Sequence, residues 1–358
     1  MRRRRFLFAA AAFPLIECPT GKAATPAADL SSGWRRFEVT TRISLLQAPG
    51  SARLWLPLAQ TVAGYQASLG LRWHGNGDGE IVRDPHYGAE MLRVSWKGGE
   101  PVASKTMEVV QTVTTRNRDA ATPVIRATRA EQDFWLQPTD SLPTDGIVHE
   151  TAMRIIQDMA APPRQRLRAL YDWVVAETTR NPATRGCGTG DISSMLRSGN
   201  LGGKCADING LMTGLARAAG FPARDVYGVR VAPSGRFPCL GASGTISKAQ
   251  HCRSEIYLDE AGWFPVDPAD VRKVMLEQRL AAGSTDARMV REQMFGQWEM
   301  NWIGFNSATD MALPGAGPGQ TPNFPFLMYP CAFTQMGQPD CLDPDSYRYE
   351  ITSREVAA

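Results

Sequence analysis

A glycine loop that runs straight into an apolar helix constrains this chain more than any other stretch. Gly202-Gly203-Lys204-Cys205-Ala206-Asp207 is followed by Ile208, Leu211, Met212, Leu215 and Ala219. Apolar residues three and four apart fall on one face, so the segment predicts a helix buried on that side. Gly220-Phe221-Pro222 supplies the stop, a glycine with proline beyond it. Three strand-like segments come next: residues 226–231, then 250–258, then 262–268. The order helix, strand, loop, strand, strand predicts a helix packed on a mostly antiparallel sheet, an α+β arrangement.

Three reactive side chains sit on these elements. Cys205 opens the helix, where unpaired backbone N–H groups and the helix dipole stabilise a thiolate. His251 lies at the start of the second strand, and Asp267 closes Gly262-Trp263-Phe264-Pro265-Val266-Asp267-Pro268. A thiol, an imidazole and a carboxylate are the parts of a nucleophilic triad. Each residue alone has a blander role: a buried thiol, a satisfied histidine, a turn aspartate. Their joint arrangement carries the signal. The other histidines are expected elsewhere, His74 and His86 in loops of a β region and His149 in a helix. Asp207 is expected to cap the helix or orient the loop, Asn200 to shape a turn, and Arg224 to pair with an acid near the helix end.

The chain has 358 residues, enough for one large or two ordinary domains. Arg2 to Arg5 precede a short apolar run, the pattern of an export signal of the twin-arginine type, placed at residues 1–28. Export implies a periplasmic or secreted protein, with no stable membrane span once the signal is cleaved. Residues 1–23 hold five of the 39 Lys and Arg and one of the 36 Asp and Glu, leaving 34 against 35. The formal charge of +3 therefore belongs to the signal, and nothing in the balance calls for a nucleic-acid partner. Residues 34–135 read as an N-terminal β domain of sandwich type, because short β-rich runs alternate with turn clusters such as Gly75-Asn76-Gly77-Asp78-Gly79. Residues 145–275 form the expected core, with Pro162-Pro163 breaking one helix and starting another. Residues 276–358 are expected to pack on that core as an extension.

Six cysteines follow the signal. Cys331 and Cys341 flank a turn containing Gly and Pro and are the pair expected to bridge, with Cys239 and Cys252 the next. Cys187, in the loop ahead of the helix, has two readings: a loop thiol or disulfide partner, or a thiol that approaches Cys205 and regulates it by a reversible disulfide. No metal or cofactor is expected: there is no Cys-x-x-Cys pair, and His251 and Cys252, adjacent on a strand, point to opposite faces.

The stretch from Gly202 to Val231, with Gly-Gly-Lys-Cys-Ala-Asp and later Leu-Ala-Arg-Ala-Ala-Gly-Phe-Pro-Ala-Arg-Asp-Val-Tyr-Gly, resembles the core of the transglutaminase-like superfamily. The His251 strand and the Gly262 to Pro268 segment match that family's His and Asp strands, so the resemblance covers about residues 150–275. It implies a papain-like, transglutaminase-like core in which Cys205 attacks an amide carbonyl, His251 moves the proton and Asp267 orients His251. The implied substrate is a protein or peptide, and the products follow from hydrolysis or from acyl transfer to an amine. The alternative is a non-enzymatic cell-envelope binding or assembly module that keeps the fold. The resemblance does not identify a second oxyanion donor beside the Cys205 N–H.

Overall fold

The helix opened by Cys205 runs through the larger of two main hydrophobic cores. The computed structural model describes residues 33–45, 48–98, 104–157, 159–317 and 324–357; the export signal expected at 1–28 lies outside them. Six strands lead: β1 Arg35–Leu45, β2 Ala52–Pro57, β3 Gln66–Gly75, β4 Asp78–Arg83, β5 Glu90–Trp96 and β6 Lys105–Thr115. The helices α1 Arg129–Trp135, α2 Gly146–Ile156 and α3 Pro163–Glu177 follow, then β7 Thr179–Arg180, α4 Ile192–Ser198 and β8 Gly202–Gly203. The central segment is α5 Cys205–Ala218, β9 Ala223–Arg230, β10 Gly244–Thr245, β11 Gln250–Leu258, β12 Gly262–Val266, α6 Pro268–Glu277 and α7 Thr285–Gln293. The chain continues through β13 Trp302–Asn306, β14 Thr309–Met311, β15 Phe324–Phe326, β16 Cys331–Thr334, α8 Pro344–Tyr347 and β17 Tyr349–Val356.

The helix α5 forms for the reasons its sequence suggests, and every residue from Cys205 to Arg217 is buried. Gly220, at φ +84°, ends it. Its N–H bonds Arg217 O and the Phe221 N–H bonds Ala216 O, both at 2.9 Å, which satisfies carbonyls left open by the helix. The sheet against it runs β12-β11-β9-β13 and is antiparallel throughout. All nine residues of β11 are buried. Cys252 and Ile256 join the core that holds α5, whereas the Arg253 guanidinium stacks over Trp302 and Trp298. An antiparallel sheet covered on both faces loses the polar alternation of a half-exposed strand.

The β region makes two sheets around a second core, which holds Phe37, Val39, Leu54, Val94 and Val109. Their orders are β10-β17-β1-β6-β3 and β16-β2-β5-β4. The strand β1 alternates buried and more exposed residues along most of its length, the period-two pattern of a sheet with one face on a core. Its free edge is covered by β17, paired antiparallel from Arg36 with Val356 to Ile43 with Tyr349. Likewise β16 pairs with β2. The segment after residue 276, expected to pack on the core, therefore divides its strands. β13 extends the core sheet beside β9, and β16 and β17 complete the sheets begun at the N-terminus. Open edges of long apolar strands require a partner, and the chain's own end supplies it.

Residues 129–135 are helical, capped by a reciprocal pair of bonds between Thr128 and Glu131. His74 lies in β3 rather than in a loop. Among the described residues no helix is long and apolar enough to cross a membrane.

Candidate active site

Cys205 is the first residue of α5 and is 3 % exposed. The loop ahead of it is tied down by Asp207. One carboxylate oxygen accepts the N–H groups of Thr189 (2.9 Å) and Gly190 (3.0 Å), and the other accepts the Lys204 N–H at 2.9 Å. Asp207 thus both caps the helix and orients the loop. The close approach explains Gly203, where an added Cβ would lie 2.5 Å from Asp207. The Ala206 N–H bonds Cys187 O at 2.9 Å, which holds residue 187 against the helix start.

His251 is the second residue of β11, opposite Gly228 of β9. Trp302 on β13 donates its indole N–H to His251 O at 2.8 Å. Asp267 follows β12 and caps α6, accepting the Asp270 N–H at 3.1 Å. Its other oxygen lies 2.8 Å from His251 Nε2. That pairing leaves Nδ1 as the ring nitrogen not taken by Asp267, and His251 lowers the ionisation of the Cys205 thiol beside it in the same cleft. The structure therefore brings Cys205, His251 and Asp267 together at one place. All three are buried, and Cys205 and His251 line a cleft of about 330 Å³.

Two further thiols act on Cys205. Hydrogen bonds from Cys187 and then Cys252 hold its ionisation well below the ordinary thiol range; burial opposes them, and His251 adds to the lowering. The thiolate in turn raises Cys187, where burial adds to the effect. Burial first, and then Cys205, raises Cys252. Cys187 has two acceptors within reach of its one proton, Gln250 O at 3.4 Å and the Cys205 sulfur, and Tyr329 donates its hydroxyl to the Cys187 sulfur at 3.0 Å. All six cysteines of the described chain are free thiols. Neither expected bridge is present. Cys331 sits in β16 opposite Trp55, its sulfur accepting from Gln338, and Cys252 turns toward Cys205.

The His251 ionisation is raised. Burial and the Arg230 charge pull it down, but Asp270 and Asp267 outweigh them. Sequence reasoning did not find Asp270 or its partner Arg230. Asp270 Oδ1 lies 2.5 Å from Arg230 and 3.5 Å from His251 Nε2. His251, Asp267 and Asp270 bring ligand-type atoms within 4.8 Å of one another. Their oxygens are engaged by Arg230, by His251 and by Asn209, whose amide donates to Asp267 Oδ1 at 3.1 Å and to Cys252 O at 2.8 Å. That donor set is an ion-pair network. Asn209 had a legible signal: a polar residue four after Cys205 lies on the same helix face. Arg224 pairs with Glu255 of β11 at 2.7 Å rather than with an acid at the helix end, and lies over the Trp263 ring. Asn200 accepts the Gly202 N–H at 3.2 Å, a turn role.

The transglutaminase-like superfamily matches residues 151–268, which span all three side chains. An uncharacterized protein of Haemophilus influenzae is 30 % identical over 347 residues, covering 89 % of this chain and 91 % of that protein. A solved structure from Cytophaga hutchinsonii, described as a candidate cysteine protease, superposes with a TM-score of 0.51 at 14 % identity, over 90 % of this chain and 99 % of that one.

Proposed function

The chain belongs to the transglutaminase-like superfamily, and on that premise we propose that it is an exported thiol enzyme acting on amide bonds of proteins or peptides. One observation carries the reading: Cys205 and His251 line one cleft, and His251 Nε2 is held by Asp267 at 2.8 Å. The basic and apolar start of the chain supports export to the periplasm or beyond.

The chemistry follows from these positions. The Cys205 thiolate attacks the amide carbonyl, and the oxyanion forms near the Cys205 N–H at the head of α5. The carbon–nitrogen bond breaks as the His251 imidazolium gives its proton to the departing amine, leaving a thioester on Cys205 and a neutral imidazole. Water or an amine then attacks the thioester, with His251 taking its proton. The thiolate and the imidazolium return together. Asp267 holds the ring orientation and stabilises its positive charge. Water needs no second binding site, which favours hydrolysis over transfer.

The test is to trap the thioester. The protein without residues 1–28 is incubated with a peptide library, with and without an amine acceptor, quenched in acid and mapped by mass spectrometry. An acyl adduct on Cys205 and consumption of the peptide, both absent in Cys205→Ala, are expected. Binding of the same peptides by the parent and Cys205→Ala proteins, with neither adduct nor turnover, would assign the fold to binding or assembly instead.

A further inference from the structure

The cleft beside Cys205 is lined by five cations, Arg180, Lys204, Arg230, Lys248 and Lys273, and by no carboxylate among the described residues. Arg230 is spent on Asp270, and Lys248, exposed at the rim, reaches Asp345 at 3.1 Å. The other three have no carboxylate within ion-pair distance among the described residues. They are also partly buried rather than free in solvent. Burial, and then the like charge of Arg180, holds Lys204 below the ordinary lysine range; burial and Arg230 do the same to Lys273. Gln250 lines the same cleft at 8 % exposure, and its amide nitrogen has no acceptor among the described residues. Half-buried cations without an ion-pair partner and a buried donor without an acceptor are both costly, and a bound anion relieves both.

We propose that this cleft binds a carboxylate-bearing acyl donor, an acidic peptide whose negative charge is taken by Arg180, Lys204 and Lys273 next to the scissile amide. This rests on Cys205 being the nucleophile. A thiol that attacks amides needs the anion and the amide in one molecule, which favours a peptide carboxylate over free phosphate. The same positive field draws acidic chains toward the cleft and repels basic ones.

The experiment reads charge selectivity at Cys205 without requiring turnover. Alkylation of Cys205 is followed by peptide mapping with iodoacetate and iodoacetamide, an anionic and a neutral reagent of similar size. The measurement is made on the parent protein and on Arg180→Gln/Lys273→Gln. The ratio of the two rates is expected to fall by about tenfold in the double variant, and to fall with added salt in the parent protein. In the parent protein alone, a glutamate-rich peptide is expected to protect Cys205 from iodoacetamide where a matched glutamine peptide does not. The parent arm keeps the test valid if the variant misfolds. Equal protection by the two peptides, or protection by inorganic phosphate and not by the acidic peptide, overturns the proposal, as does a ratio that the substitutions leave unchanged. An activated Cys205 without charge selectivity defeats this inference alone; an ordinary, unactivated thiol defeats the proposed function itself.

Discussion

The Asn209 amide lies 3.1 Å from Asp267 Oδ1 and ties the carboxylate that holds His251 to the helix that presents Cys205. The same amide donates to Cys252 O, and the Asn209 oxygen accepts the Ala269 N–H at 3.1 Å. One side chain thus fixes three elements, α5, β11 and α6, at the point where they meet.

Asn209→Ala removes all three bonds and leaves buried partners unsatisfied. Unfolding experiments in denaturant should show a loss of about 1–3 kcal/mol. Because His251 loses its anchored partner, turnover should fall further than the lost folded fraction explains. A variant with parent kcat/KM would show that Asp267 is positioned without Asn209.

Asp270 and Arg230 are a buried pair. Removing one charge strands the other, so Asp270→Asn should cost about 3–5 kcal/mol. Burial opposes ionisation of Asp270, but Arg230, then His251 and Arg253, hold its carboxyl well below the ordinary range. A depressed carboxylate contributes stability that is complete above its unfolded value of about 3.9 and is lost as pH falls through the folded value. The gap between parent and variant stability should therefore narrow below about pH 4. A gap independent of pH would contradict the pairing.

Cys187 and Cys205 line one cleft, with residue 187 held against the helix start by the Ala206 N–H, which predicts a peroxide-sensitive site. The thiolate reduces one peroxide to water and becomes a sulfenic acid; the Cys187 thiol then displaces its oxygen as a second water, forming a disulfide. Peptide mapping should find Cys187 linked to Cys205, and a thiol reductant should restore the free pair. In Cys187→Ala, Cys205 should instead go on to sulfinic acid. Absence of the linked peptide in the parent protein would contradict this.

Gly203→Ala should place its Cβ against the Asp207 carboxylate. The loop at residues 187–190 would lose its clamp. Proteolysis of that loop should accelerate and turnover should drop. Unchanged proteolysis would mean that Asp207 accommodates the methyl group.

How much of this was legible in the sequence depends on how local each signal is. The buried face of α5, its glycine stop and the strands carrying His251 and Asp267 follow from patterns within about 60 residues. The pairing of β1 with β17 joins residues roughly 310 apart, and a period-two pattern says which face is buried, not which strand lies alongside. Asp270 and Arg230 were missed because each reads alone as a surface charge, and only folding brings them together. The free thiols have the same origin. Spacing suggested a bridge at Cys331, but its strand neighbour is Trp55.

The central claim is that Cys205 works as a thiolate supported by His251. The most direct measurement is the pH profile of iodoacetamide labelling at Cys205, mapped to its peptide, in the parent protein and in His251→Ala. Since Cys187, Cys252 and His251 all lower the thiol's ionisation, the account predicts labelling that begins well below the ordinary thiol value of about 8.5 and moves toward it in the variant. An ordinary profile in the parent protein, unchanged by His251→Ala, would contradict it.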